Sequence, residues 1–176
     1  MRSSLLLLLV PLVVAFLDEG QRVAAAPLTA GATVALDEPV GELDLGALRG
    51  KVVVIEVMET WCGVCRTAIP TLNRWHDRFA DAGLYVVVAS PESADILRRY
   101  REGNDLGAHI AVDVDAAVAR RFEVRAFPTF VVLDRDGEPR GRFRGAGESL
   151  AQVEAAFTAL LDASPTVPDG VRFLPR

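Results

Sequence analysis

The chain has 176 residues, of which 51% are apolar and 24% charged, and its formal net charge is −5. The high apolar fraction excludes an intrinsically disordered protein, and the length suits one domain with a sizeable core. The negative net charge argues against electrostatic binding to nucleic acid, so we expect no nucleic-acid partner.

The N-terminal segment is expected to lie apart from the folded domain. Residues 5–17 form an apolar run that follows a single arginine, Arg2. This run is shorter than the roughly 20 residues of a transmembrane helix and fits the apolar region of a secretory signal. Ala24 to Ala26 offer small residues for cleavage, although Pro27 follows directly. We therefore predict a signal peptide or N-terminal membrane anchor over residues 1–26, and export to the periplasm or the outer face of the cytoplasmic membrane.

The next elements begin the predicted domain, which covers residues 30–162. Residues 30–37 and 41–45 are predicted to form two short strands joined by a turn, an N-terminal β-hairpin. Residues 52–57 are mostly β-branched and predict a central strand with both faces covered. Residues 62–82 predict a helix that bends at Pro70, because proline removes a backbone donor.

The second half alternates between strands and helices before it ends in a hairpin and a last helix. The predicted strands are 84–89, 109–112, 129–133 and 140–144, and the predicted helices are 94–102, 115–122 and 148–161, with a turn at 134–137. Alternation implies parallel pairing through crossover helices, and the hairpin adds antiparallel strands. The fold class is therefore α/β, with a central mixed β-sheet flanked by helices. Residues 163–176 contain three prolines and are predicted to form an irregular C-terminal tail.

Both cysteines of the chain lie in the sequence Trp-Cys-Gly-Val-Cys at residues 61–65. Two thiols at this spacing can close a small ring across the first turn of a helix. At the helix N-terminus, unpaired amides and the helix dipole favour a thiolate, so Cys62 is the predicted nucleophile. Cys65, one turn deeper, would resolve the mixed disulfide, and Trp61 would flank the site and limit solvent. The pattern predicts an enzyme, a thiol:disulfide oxidoreductase whose redox-active disulfide joins Cys62 and Cys65.

Glu56 is the single acid within the apolar run of residues 52–57. Burial raises the pKa of a carboxyl group, so Glu56 is predicted to accept a proton from Cys65 and return it later. Two alternatives remain open at this point. Either the face of the strand that carries Glu56 is exposed to solvent, or Glu56 forms an ion pair with an arginine.

Pro128 stands at the entrance of a predicted strand, in the sequence Val-Arg-Ala-Phe-Pro-Thr at residues 124–129. A cis Phe127–Pro128 bond would turn the backbone of Phe127 towards an extended substrate segment, as in strand addition. From the local sequence alone a trans bond is favoured, since only about 5–6% of such bonds are cis.

These features, taken in chain order, resemble the thioredoxin superfamily, and within it the exported reductases of the TlpA, ResA and cytochrome-c-maturation type. The resemblance covers residues 32–161 and rests on the lead-in at 45–51, the cysteine motif at 61–65, Pro70, the segment 124–129 and the turn at 134–137. It implies a thioredoxin-like fold, a buried acid at Glu56, and a cis Pro128 that faces the cysteines beside Trp61 and Phe127. The chain departs from thioredoxin at Val64, where thioredoxin has proline.

Two other classes of function compete with the redox interpretation. The cysteine pair begins a metal site only if further ligands join it, and His76 and His109 are the only histidines. Haem attachment requires histidine after the second cysteine, where this chain has Arg66. We therefore expect no metal and no cofactor. A binding module with a structural disulfide is the second rival, although so short a loop constrains little of the unfolded chain.

The direction of electron flow follows from the charges near the cysteines. Glu56 and Glu59 add negative charge, which Arg66 and Arg125 partly offset, and no positive residue lies between Cys62 and Cys65. We expect a reducing protein, with a potential nearer the roughly −270 mV of thioredoxin than the roughly −120 mV of a strong oxidant. Its partners would be protein thiols and disulfides, for example in cytochrome c maturation or metal-site assembly, and a membrane-bound electron donor. The alternative is an exported disulfide oxidant or isomerase.

Overall fold

The computed structural model describes residues 40–163, which contain a six-stranded mixed β-sheet with helices on both faces. The strands are β1 (Gly41–Glu42), β2 (Val52–Val57), β3 (Leu84–Ser90), β4 (His109–Val112), β5 (Thr129–Leu133) and β6 (Pro139–Arg144). The helices are α1 (Gly63–Arg66), α2 (Ile69–Phe79), α3 (Ala94–Gly103), α4 (Ala117–Arg121) and α5 (Glu148–Asp162), and one turn of 3₁₀ helix, Val114–Ala116, precedes α4. The predicted α/β class is confirmed.

The sheet has the strand order β1-β4-β3-β2-β5-β6. β2 pairs parallel with β3 and antiparallel with β5, so it occupies the centre, as its apolar sequence predicts. Its alternating side chains divide the core in two. Val52, Val54 and Met58 belong to the core on the face of α1, α2, α3 and α5, whereas Val53, Ile55 and Val57 belong to the core on the face of α4.

The helix predicted over residues 62–82 is wrong in extent, because it is two helices and ends earlier. Pro70 lacks an amide hydrogen and cannot donate to the carbonyl of Arg66. The chain bridges the break with shorter bonds, from the Thr67 amide to the Val64 carbonyl and from the Ala68 amide to the Cys65 carbonyl. The break separates the short helix that carries the cysteines from the longer helix that packs on the sheet.

The N-terminal hairpin is only partly within the described residues. Its first predicted strand, 30–37, lies outside them, as do the leader 1–26 and most of the tail 163–176. The second strand is shorter than predicted, since β1 contains only Gly41 and Glu42. β1 pairs in parallel with β4, so within residues 40–163 it is an edge strand of the main sheet.

The predicted turn at 134–137 is confirmed and joins β5 to β6. The carboxylate of Asp134 accepts the amide hydrogens of Asp136 and Glu138, both at 2.9 Å, and it pairs with Arg140. Gly137 has a φ of 79°, a left-handed conformation that glycine adopts without strain. A register shift between Val132 and Leu133 places a bulge in this hairpin. Across the described part of the chain, no helix has the length and hydropathy needed to cross a bilayer.

Candidate active site

The two cysteines are joined by a disulfide at the N-terminus of α1, with their Cα atoms 5.3 Å apart. Cys62 is the N-cap residue, and its sulfur accepts the amide hydrogen of Cys65 at 3.2 Å. Cys62 is 7% exposed and Cys65 is 1% exposed. Cys62 therefore keeps a small exposed fraction at the helix tip, whereas Cys65 is almost completely buried.

Trp61 and Phe127 lie together beside this disulfide. Their rings meet edge to face with centroids 6.1 Å apart, and the indole nitrogen of Trp61 donates a hydrogen bond to the carboxylate of Glu59 at 2.7 Å. The side chain of Trp61 is 70% exposed. Trp61 flanks the site as predicted, but so exposed a ring leaves the approach open on its side, and the prediction that it limits solvent is not supported by this geometry.

The Phe127–Pro128 peptide bond is cis, as the family resemblance implied and the local sequence did not. The carbonyl of Pro128 accepts the amide hydrogen of Gly145 at 2.8 Å, which ties this loop to the end of β6. Among residues 40–163, neither backbone group of Phe127 has a hydrogen-bond partner. A donor and an acceptor are thus available next to the ring of Trp61.

Glu56 is 1% exposed, which excludes the solvated alternative. On β2 it alternates in phase with Val54 and Met58, so it lies on the face of the sheet whose core contains Cys62 and Cys65. Burial raises the pKa of its carboxyl group to about 8. Its Oε1 atom has no hydrogen-bond partner within the described residues, so no arginine among them pairs with that atom.

A third acid, Glu92, holds the loop that precedes the disulfide, and sequence reasoning missed it. Its carboxylate accepts the amide hydrogen of Thr60 at 2.6 Å and the hydroxyl hydrogen of Thr60 at 2.7 Å. The hydroxyl of Ser90 donates to the same carboxylate at 3.1 Å. The sequence around Glu92 indicates only that a helix begins nearby, the one predicted over residues 94–102. α3 does begin there, but Glu92 also fixes the active-site loop.

Tyr100 on α3 was also missed. It is 8% exposed and belongs to the core that contains both cysteines. Burial, followed by the charge of Glu56 and, less strongly, Glu92, raises the pKa of Tyr100 to about 12, whereas Arg66 opposes this rise. The phenol of Tyr100 is therefore neutral.

The two histidines contact each other, with ring centroids 5.0 Å apart, and His109 also stacks on Tyr85 at 4.1 Å. Burial, the charge of His76 and the charge of Arg101 lower the pKa of His109 to about 4. Within residues 40–163, no three side chains of the metal-ligating types converge.

Comparison with known proteins agrees with this geometry. The chain is 23% identical over 105 residues to the thiol-disulfide oxidoreductase ResA of Bacillus thuringiensis subsp. konkukian, which covers 59% of this chain and 61% of that protein. It is 28% identical over 127 residues to the thiol-disulfide oxidoreductase YkuV of Bacillus subtilis, covering 69% of this chain and 85% of that one. The chain thus spans somewhat less than two thirds of the length of the ResA relative.

A solved structure shows the same fold. It is that of a secreted Mycobacterium tuberculosis disulfide oxidoreductase homologous to E. coli DsbE, with a TM-score of 0.54 and 21% identity over 65% of this chain and 86% of that one. The sequence profile of the AhpC/TSA family matches residues 24–140, which include the disulfide, Glu56 and the cis proline. With its mixed sheet, its Cys-x-x-Cys pair at a helix N-terminus and this match, the chain belongs to the AhpC/TSA family of thioredoxin-like proteins.

Proposed function

We propose that this protein is an exported thiol:disulfide oxidoreductase that reduces disulfides in partner proteins. One observation carries the proposal. The Cys62–Cys65 disulfide sits at a helix N-terminus, with Cys62 keeping a small exposed fraction and Cys65 buried on the same side of the sheet as the unpaired carboxyl of Glu56. A disulfide across three residues does little to stabilise a fold, but it is suited to form and break.

The reaction proceeds in two exchanges. In the reduced protein, the thiolate of Cys62 attacks a client disulfide, so a Cys62–client bond forms and one client sulfur leaves as a thiolate. Cys65 then passes its proton to the ionised carboxylate form of Glu56 and attacks the sulfur of Cys62, which releases the second client thiolate. Two electrons move to the client, and the protein is left as the disulfide that the structure contains. A partner must then restore the two electrons.

The direction of electron flow is supported by the acids around the site. A strong oxidant stabilises its reduced form through the thiolate. Here Glu59 and Glu92 lie near the cysteines, and their negative charge disfavours a further anion at Cys62, to which Glu56 adds only when it is ionised. Equilibration with glutathione tests this direction, since a disulfide that glutathione reduces readily would instead indicate an oxidant or isomerase.

Export and partners rest on the N-terminal sequence. The apolar run of residues 5–17 supports a signal peptide or membrane anchor, and hence a location in the periplasm or at the outer face of the cytoplasmic membrane. An exported reductase needs an electron source, so we propose a membrane-bound donor. Fractionation of cells that express the full chain, with N-terminal sequencing of the product, tests both location and cleavage.

Trapping of clients tests the activity. Replacement C65S leaves Cys62 unable to be released, so the variant should accumulate mixed disulfides with client proteins that dithiothreitol reverses. C62S is the matched control and should trap none. If the wild-type disulfide does not respond to dithiothreitol and C65S traps nothing, the rival binding module with a structural disulfide is correct.

A further inference from the structure

A groove of about 410 Å³ lies beside Phe127 and next to the active-site loop, which contributes Glu59 to its lining. Its walls come from the end of β2, the loop after β3, α4 and the loop before the cis proline. Its apolar and small lining residues are Val57, Pro91, Ala116, Ala119, Val124 and Phe127. Four charged residues complete the lining, namely Glu59, Arg120, Glu123 and Arg125.

The four charges are not equivalent. Glu59 accepts the indole hydrogen of Trp61, and Glu123 lies 3.7 Å from the guanidinium of Arg142. Arg120 and Arg125 are exposed, and neither side chain forms an ion pair or hydrogen bond with any residue in the range 40–163. The two cations of the lining thus have no partner among residues 40–163 and are available to a ligand, whereas the carboxylates of Glu59 and Glu123 each have a contact of their own.

The wall that carries Arg120 is built to hold its shape. The buried carboxylate of Asp113 accepts the amide hydrogens of Val118 at 2.8 Å and Ala119 at 3.0 Å, which fixes the first turn of α4. Ala116 and Glu123, on either side of α4, have φ values of 52° and 50°, a left-handed conformation that is costly for residues with a Cβ atom. Such strain is retained where surrounding structure enforces it, often at binding sites.

We propose that this groove binds the chain segment next to the reactive cysteine of a client protein, and that Arg120 and Arg125 select segments with an acidic side chain there. The inference rests on the proposed function and adds the class of client. An extended segment that pairs with the free backbone groups of Phe127 continues into the groove, where its apolar side chains meet Val57 and Val124. Its carboxylate then lies between the two arginines, which bind carboxylates through paired hydrogen bonds.

Three peptides, each with a single cysteine, test this inference. They differ only at the positions two residues away from the cysteine, which carry glutamate, glutamine or lysine. The cysteine of each carries thionitrobenzoate in a disulfide. In the C65S background, Cys62 attacks the peptide sulfur, the Cys62–peptide bond forms, and thionitrobenzoate leaves with the electron pair of the broken bond. Its absorbance gives the rate of a single step.

We expect the glutamate peptide to react about fivefold faster than the lysine peptide, with a ratio that falls as salt is added. The double replacement R120E/R125E should invert this preference. The double replacement R120Q/R125Q should abolish it and provides a second test if the R120E/R125E protein does not fold. Arg99 is exposed on α3 and does not line the groove, so R99E is the matched control and should keep the wild-type ratio.

Equal rates for the three peptides, or a ratio that survives R120Q/R125Q, would overturn the inference about the groove. Failure of the proposed function looks different, because Cys62 would then react with none of the peptides, including the glutamine one.

Discussion

Glu56 is the residue that the proposed chemistry of the site requires besides the two cysteines. Its sequence position within an apolar strand predicted burial, and the structure places it 1% exposed on the face of the cysteines. The consequence is a carboxyl group with a pKa of about 8, which exchanges its proton near physiological pH. A solvated carboxylate would be too weak a base to take a proton from a buried thiol.

Replacement E56Q should slow the second exchange by at least about tenfold, because glutamine cannot accept the proton of Cys65. Attack by Cys62 on a disulfide peptide should keep its wild-type rate. Rapid-quench measurement of the mixed disulfide separates the two steps. Glu102 is exposed on α3, and E102Q serves as the control. Mixed-disulfide resolution at the wild-type rate in E56Q would remove Glu56 from the mechanism.

The same carboxyl group should make stability depend on pH. Its pKa is 4.5 in the unfolded chain and about 8 in the folded one, so between these values the folded protein keeps a proton that the unfolded chain has lost. The free energy of unfolding should therefore decrease as pH rises from 4.5 to 8, by a few kcal/mol, since one pKa unit corresponds to about 1.4 kcal/mol. Urea titrations across this range should show a flatter profile in E56Q than in the wild type and E102Q.

At the scale of elements, the sequence predicts those features whose cause lies within a few neighbouring residues. The strand β2 is predicted from six consecutive residues. The bend in the following helix is predicted from the amide hydrogen that Pro70 lacks, but only the structure shows that the helix breaks two residues before this proline. The bond between Thr60 and Glu92 joins positions 32 apart, and no local pattern indicates it. The groove beside Phe127 likewise assembles from segments that only the fold brings together.

The contact between Thr60 and Glu92 should stabilise the loop before the disulfide. Replacement E92A removes the acceptor of three hydrogen bonds, two from Thr60 and one from Ser90, and should lower the free energy of unfolding by about 2 kcal/mol. The amide of Thr60 should then exchange with solvent faster, which hydrogen exchange by NMR can follow residue by residue. E102A, on the exposed side of α3, should change neither value. An unaltered exchange rate at Thr60 in E92A would show that other contacts hold this loop.

At the scale of the whole molecule, the sheet and its two cores carry the stability, and the disulfide carries little of it. Trp75 and Phe157 are fully buried and pack edge to face at 5.2 Å, which joins α2 to α5 far along the chain. The predicted α/β order and the family resemblance were sufficient to anticipate this architecture. The strand predicted at 30–37 remains a prediction, because it lies outside residues 40–163.

Comparison of the two redox forms tests the direction of electron flow in the intact molecule. A protein that reduces its clients has a disulfide that folding favours, so the oxidised form should be the more stable one in urea. Loop closure across so few residues contributes no more than about 2 kcal/mol by chain entropy. The doubly substituted C62A/C65A protein should not respond to reductant. Greater stability of the reduced form would mark the protein as an oxidant.

β6 borders the sheet within residues 40–163, and it has the sequence Pro-Arg-Gly-Arg-Phe-Arg. Proline, repeated like charges and the neighbouring bulge all discourage a second strand from aligning there. Copies of the protein brought close together would therefore pair poorly along this border instead of stacking into fibrils. A thiol:disulfide oxidoreductase must leave the approach to its disulfide open for other proteins, and this border lets it do so without promoting its own aggregation.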